Sequence, residues 1–166
     1  MNPAVLVLMG SKNDWEILKE TGAELDRLGI AWRAHVASAH RSLVRTLELV
    51  RDGEAGGVRV FICGAGMAAH LAGVVAASTV RPVIGVPLPG GVADGVDALL
   101  STVQMPGGVP VATVAVGKAG ARNAAVLAAE ILALSDSDLG EKLRRLRVEQ
   151  ADAVAAADAA LGGGGR

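Results

Sequence analysis

The chain alternates between short, uninterrupted apolar runs and longer stretches in which apolar residues recur every three or four positions. The run Ala4-Val5-Leu6-Val7-Leu8-Met9, closed by Gly10-Ser11, fits a strand buried on both faces. Comparable runs at 31–37, 58–63, 82–86 and 110–116 predict four more strands. From Asp14 onward, Ile17, Leu18, Leu25 and Leu28 keep helical spacing until Gly29 ends the segment. Further helices are predicted at about 42–52, 69–78, 95–103 and 120–134, the last rich in alanine. A final helix over about 136–160 carries Leu139, Leu143, Leu146 and Val154 on one side, and residues 161–166 read as a disordered tail.

Strands alternating with helices predict an α/β fold: a three-layer, doubly wound parallel sheet of about five strands in a single domain over 1–160. In that architecture ligands bind beyond the carboxyl ends of the strands, near the switch in strand order. The last helix follows no strand. It fits an arm that packs on a neighbouring subunit and equally a helix that closes its own domain.

The predicted ligand edge gathers three stretches that could carry chemistry. In Gly10-Ser11-Lys12-Asn13-Asp14, Ser11 and free N–H groups at a helix start suit a phosphate, although Asp14 as a cap and Ser11 in a turn fit as well. In Ser38-Ala39-His40-Arg41, Arg41 can bind phosphate or carboxylate in bidentate fashion, and a histidine such as His40 can move a proton near neutral pH. Solvated loop positions, with Ser38 as a cap, are the plainer reading. Gly64-Ala65-Gly66-Met67-Ala68-Ala69 matches the dinucleotide pattern G-x-G-x-x-A in form only. It follows the third strand, and no acidic residue ends the next one. A backbone pocket whose glycines, Gly64 and Gly66, admit a small planar or anionic group, with His70 at its end, fits better, and a tight turn for helix–sheet packing competes with it. His35, inside a strand, reads as structural, and Gln104-Met105-Pro106-Gly107-Gly108 as a loop before the fifth strand.

Composition narrows the partners. Apolar residues make up 51% of the 166 and aromatic ones only 2%, so the core is built from Ala, Val, Leu and Ile, and subunits could pack tightly. A formal charge of −1 supplies no basic field for nucleic acid, so an anionic ligand needs local donors. The lone Cys63 ends an apolar run and reads as a buried, inert thiol in a reducing compartment. The histidines and cysteine have no zinc-site spacing, and there is neither a P-loop nor a G-x-S-x-G elbow. With no signal-peptide pattern and no long apolar run, a soluble cytoplasmic protein is expected, away from membranes.

Taken in order, these motifs resemble the 5-(carboxyamino)imidazole ribonucleotide mutase family of purine biosynthesis. The resemblance runs from Val5 to about Leu134 and rests on Met9-Gly10-Ser11-Lys12-Asn13-Asp14-Trp15, Ser38-Ala39-His40-Arg41 and the stretch from Gly64 to Gly73. Ile84-Gly85-Val86-Pro87, Ser101-Thr102-Val103-Gln104-Met105-Pro106 and Val111-Ala112-Thr113-Val114-Ala115 extend it. It implies a flavodoxin-like domain, a reaction without cofactor or metal, and a homo-oligomer, usually an octamer, with sites between subunits. It also implies that Ser11, Asp14 and Arg41 contact the ribonucleotide, that His40 is the general acid and base, and that His70 lines the pocket. Ser38, Asn13, Gly66 and Ala68 complete the expected binding set. The family usually has serine where this chain has Asn13 and proline where it has Ala72. Its direct-carboxylase branch usually carries a Ser-Asn-containing sequence after the third strand, so Ala68-Ala69-His70 resembles the mutase branch.

Two other functions remain compatible with these residues. One is direct carboxylation of the aminoimidazole ribonucleotide in the same fold. The other is a non-catalytic, flavodoxin-like module that binds a nucleotide phosphate, which would need Ser11 and Arg41 but not His40.

Overall fold

The computed structural model describes residues 2–162. Its centre is a five-stranded, all-parallel sheet: β1 (Val5–Met9), β2 (Trp32–Val36), β3 (Val60–Ala65), β4 (Val83–Pro87) and β5 (Ala112–Thr113). The spatial order is β2-β1-β3-β4-β5. This is the flavodoxin-like order, with its switch point between β1 and β3. The helices are α1 (Trp15–Leu28), α2 (Leu43–Ala55), α3 (Leu71–Ala76), α4 (Val96–Val103), α5 (Lys118–Ala133) and α6 (Ser137–Gly162).

Alternation along the buried strands divides the core into two layers. Val5, Val7, Met9, Val60, Ile62, Ile84 and Val86 pack against α1 and α5, while Leu6, Leu8, Phe61 and Cys63 pack against α2 and α3. Small residues set the spacing. Ala121, Ala124, Ala125, Ala128 and Ala129 of α5 are fully buried, and Thr21 Oγ1 of α1 donates to Ala121 O at 2.8 Å. The alanine-rich sequence thus brings two helices close on one face of the sheet. Burial also pushes the Cys63 thiol far up from its ordinary range, leaving it uncharged and inert at neutral pH.

The predicted strands and helices all form, with some altered bounds. β5 shrinks from 110–116 to Ala112–Thr113, because β4 pairs with it only at Ile84–Ala112 and Gly85–Thr113. Beyond that pair the chain still follows β4, with Val114 N bonded to Gly85 O and Gly117 N to Pro87 O. α3 begins two residues later than expected, because Ala69 and His70 are held in tight turns by Met67 O and Ala68 O. α2 runs through Gly53, where a Cβ would lie 3.3 Å from Leu6; that glycine serves packing and does not end the helix.

α6 divides into two halves. Leu139 and Leu146 are buried, Lys142 Nζ donates to Leu28 O at 2.9 Å, and Arg27 pairs with Glu149. Every residue from Arg147 to Gly162 is exposed. The helix therefore closes its own domain as far as Glu149, since Arg147 pairs with Glu130 of α5, and the part beyond projects from it, with Val154 70% exposed. The helix takes in Leu161 and Gly162 of the expected tail, and 163–166 lie outside the described residues. No helix among the described residues is long and apolar enough to cross a membrane.

Candidate active site

The carboxyl ends of β1 and β3 and the loops after β2 and β4 enclose a cleft of about 530 Å³. Ser11, Asp14, Ser38, His40, Arg41, Gly66, Ala68 and His70 all line it. The sequence motifs thus meet at the switch point of the sheet. Asn13 does not join them. It faces a neighbouring depression lined by Met9, Trp15 and Val36, and within the site it only donates its N–H to Ser11 Oγ at 3.3 Å.

The first loop is a reciprocal cap. Asp14 accepts from Ser11 N at 2.8 Å while Ser11 Oγ accepts from the following turn, a short 3-10 segment ahead of α1. Capping and cleft lining are therefore combined in the same two residues. Partial burial pushes the Asp14 carboxyl above its ordinary range; the N–H groups of Ser11 and Gly10 and the nearby Arg41 charge oppose that shift.

The second loop is braced from the start of α2. Ser42 Oγ accepts from Ser38 N at 3.0 Å and donates to Ser38 O at 3.2 Å, so it folds back on the loop and does not cap its own helix. Arg41 reaches across to β1, donating from Nη2 to Gly10 O at 3.3 Å. Its backbone N–H donates to Ser38 Oγ at 3.3 Å. These bonds hold the guanidinium beside Ser11 and Asp14, where it can receive an anion.

His40 Nε2 lies 2.8 Å from His70 Nδ1, and the two rings meet edge to face with centroids 4.9 Å apart. One of the facing nitrogens donates and the other accepts. Both histidines are exposed to the cleft, so a proton held by the pair is within reach of a bound ligand. His35 stays on β2, outside the cleft; burial and the neighbouring Arg45 and Arg33 lower its pKa.

In the third loop the two glycines have different tasks. A Cβ on Gly64 would lie 2.6 Å from Leu18 Cδ1, so this glycine lets α1 approach the sheet. Gly66 has ordinary space around it and lines the cleft. Between them and Ala68, Met67 takes a left-handed backbone (φ 56°), which costs an ordinary L-residue roughly 1–2 kcal/mol. Sequence reasoning passed over Met67, Ser42 and the wall formed by Leu88, Pro89, Gly90 and Gly91. The Pro/Gly cluster after β4 was the available signal for that wall. Among the described residues no group of three or more His, Cys, Asp or Glu side chains could hold a metal ion.

Residues 4–153 match the family model described as AIR carboxylase. The chain belongs to that family. It is 49% identical over 154 residues to the N5-carboxyaminoimidazole ribonucleotide mutase of Pseudomonas aeruginosa, covering 93% of this chain and 94% of the relative. The mutase of the same name from Bacillus subtilis is 50% identical over 147 residues, covering 89% and 91%. The crystal structure of Treponema denticola PurE superposes with a TM-score of 0.87 at 28% identity, covering 96% of this chain and 98% of that one.

Proposed function

We infer that this chain is an isomerase of purine biosynthesis that converts 5-(carboxyamino)imidazole ribonucleotide to 4-carboxy-5-aminoimidazole ribonucleotide. Relatives about half identical along nearly their whole length carry the mutase name. The observation that carries the chemistry is the contact between His40 and His70 inside a cleft that also holds Ser11, Asp14 and Arg41.

In this reading Arg41 and Ser11 receive the phosphate and Asp14 the ribose, which leaves the imidazole toward His40 and His70. Ser38 holds Arg41, and Gly66 and Ala68 form the floor of the base pocket. The N–C bond of the carboxyamino group breaks with its electron pair kept by nitrogen, which takes a proton from His40. Carbon dioxide is released within the cleft. Carbon 4 of the ring then donates an electron pair to it, forming the C–C bond, and the proton on that carbon returns to His40. Substrate and product have the same atoms, so no cofactor or co-reactant is needed. A single histidine can serve both steps, since it regains the proton it gave.

The working form we propose is a cytoplasmic homo-oligomer, an octamer as the resemblance implies. Leu43, Val44 and Leu47 are exposed apolar side chains on α2, and Val96, Leu100 and Val103 on α4. Together with the bare half of α6 they support assembly.

The test offers purified protein either the carboxyamino ribonucleotide or the aminoimidazole ribonucleotide with bicarbonate, and follows the carbon-carboxylated product. Turnover of the first alone is the expected result. Efficient turnover with bicarbonate at low concentration would make the protein a direct carboxylase, and binding without turnover a nucleotide-phosphate module.

A further inference from the structure

Three non-glycine residues among those described have a left-handed backbone: Met67, Ala93 and Asp94. For the last two the loop supplies a local reason, because Asp94 Oδ1 accepts from Gly90 N and Asp97 Oδ2 from Val92 N. The Met67 side chain is a thioether with no such bond to make. Glycine would take the same backbone freely. A long apolar side chain is held there instead, lining the cleft with 66% of its surface exposed. Backbone strain of this kind persists where the surroundings enforce it, and it gathers at functional sites.

We propose that Met67 is the apolar wall that keeps released carbon dioxide against the imidazole until carbon 4 is carboxylated. This rests on the decarboxylation and recarboxylation described above. Carbon dioxide is small and neutral and donates no hydrogen bond, so polar groups such as Arg41 and Ser11 hold it poorly. Retention depends on shape and dispersion. The other side chains of the loop from Gly64 to Ala69 end at Cβ or lack it, and Leu88 on the facing wall is buried. Only Met67 in this loop can reach over the base. Its unbranched chain has three rotatable bonds, so it can swing aside for the ribonucleotide and fold back over it.

The test uses carboxyamino substrate labelled in its carboxylate, in buffer with unlabelled bicarbonate and carbonic anhydrase. It reads the label kept in the product and the free aminoimidazole ribonucleotide released per turnover. The wild type should keep most of its label. Met67→Gly should lose label and release aminoimidazole several-fold more often, with a smaller change in KM and no loss in melting temperature. Met67→Leu, which restores apolar bulk, should recover much of the retention. Equal retention in Met67→Gly and wild type would overturn the proposal. So would a loss of label accompanied by altered assembly or a matching rise in KM, which would mark general damage. If the wild type itself exchanged its label at every turnover, the enclosed transfer would fail first, whatever Met67 does.

Discussion

His40 and His70 stand 30 residues apart in sequence, yet His40 Nε2 and His70 Nδ1 are 2.8 Å apart in the lining of the cleft. The bond between them admits one proton, because two N–H groups turned on each other would repel. His70 therefore orients the His40 ring, with one of the facing nitrogens donating and the other accepting. His40→Asn is expected to fold normally and lose roughly two to four powers of ten in kcat. His70→Asn, which keeps a polar partner for His40, should lose much less. Full activity in His40→Asn would exclude it as the acid and base.

Arg41 touches the loop and β1 only through exposed hydrogen bonds, so removing its side chain should leave the fold intact. Its charge faces the cleft beside Ser11. Loss of a charge-assisted bond costs about 1.5–3 kcal/mol. Arg41→Ala should thus raise KM or Kd roughly ten- to a hundredfold, with a smaller effect on kcat. Inorganic phosphate should compete with substrate in the wild type and lose most of that effect in the variant. An unchanged KM would remove Arg41 from the phosphate site.

Ser42 is a positioning residue. It does not line the cleft, but its hydroxyl makes two of the three bonds that tie it to Ser38, on which Arg41 leans; the third runs from its own backbone N–H to Ser38 O. Ser42→Ala should cost about 1 kcal/mol locally. The expected result is a several-fold fall in kcat/KM with little change in melting temperature, and recovery in Ser42→Thr. A fall in melting temperature without a kinetic change would assign the hydroxyl to helix stability alone.

The fold was legible because its strands are apolar throughout and its helices keep their period: β1, β3 and β4 are buried almost from end to end. β5 was overread because an edge segment can be extended and apolar while pairing at only two positions. The clustering of Ser11, His40, Arg41 and His70 followed from parallel topology alone. The role of Ser42 did not, since an N-cap serine and a loop brace look alike in sequence. Gly64 was grouped with Gly66 for the same kind of reason. Only the position of Leu18 separates a packing glycine from one that lines a pocket.

Asp14 gives a pH-dependent prediction. Its folded-state pKa lies above the ordinary 3.8, chiefly through burial. The folded chain then holds the proton more tightly than the unfolded chain, and this contribution is lost as the pH rises through the window above 3.8. An asparagine in its place would keep an oxygen for the N–H of Ser11 without the buried charge. Asp14→Asn should therefore melt no lower, and slightly higher, than wild type at pH 7.5, with the gap narrowing toward pH 4. KM should rise at the same time if the carboxylate binds ribose. A lower melting temperature at pH 7.5 would mean that the charged hydrogen bonds outweigh burial.

The bare half of α6 separates assembly from folding. Val154 is 70% exposed and lies beyond the last buried position of the helix, Leu146, so a charge there has little to disturb in a lone chain. In an oligomer that buries this stripe, the same charge would be taken from water without a partner, at a cost of several kcal/mol for each site. Val154→Glu should then shift light scattering toward smaller species and lower the melting temperature in a concentration-dependent way. The secondary structure of the separated subunits should persist, because α1 and α5 already hold the first half of α6 through Leu139 and Leu146. Unchanged mass and melting would leave this half of the helix in solvent, and the patches on α2 and α4 would have to carry the assembly.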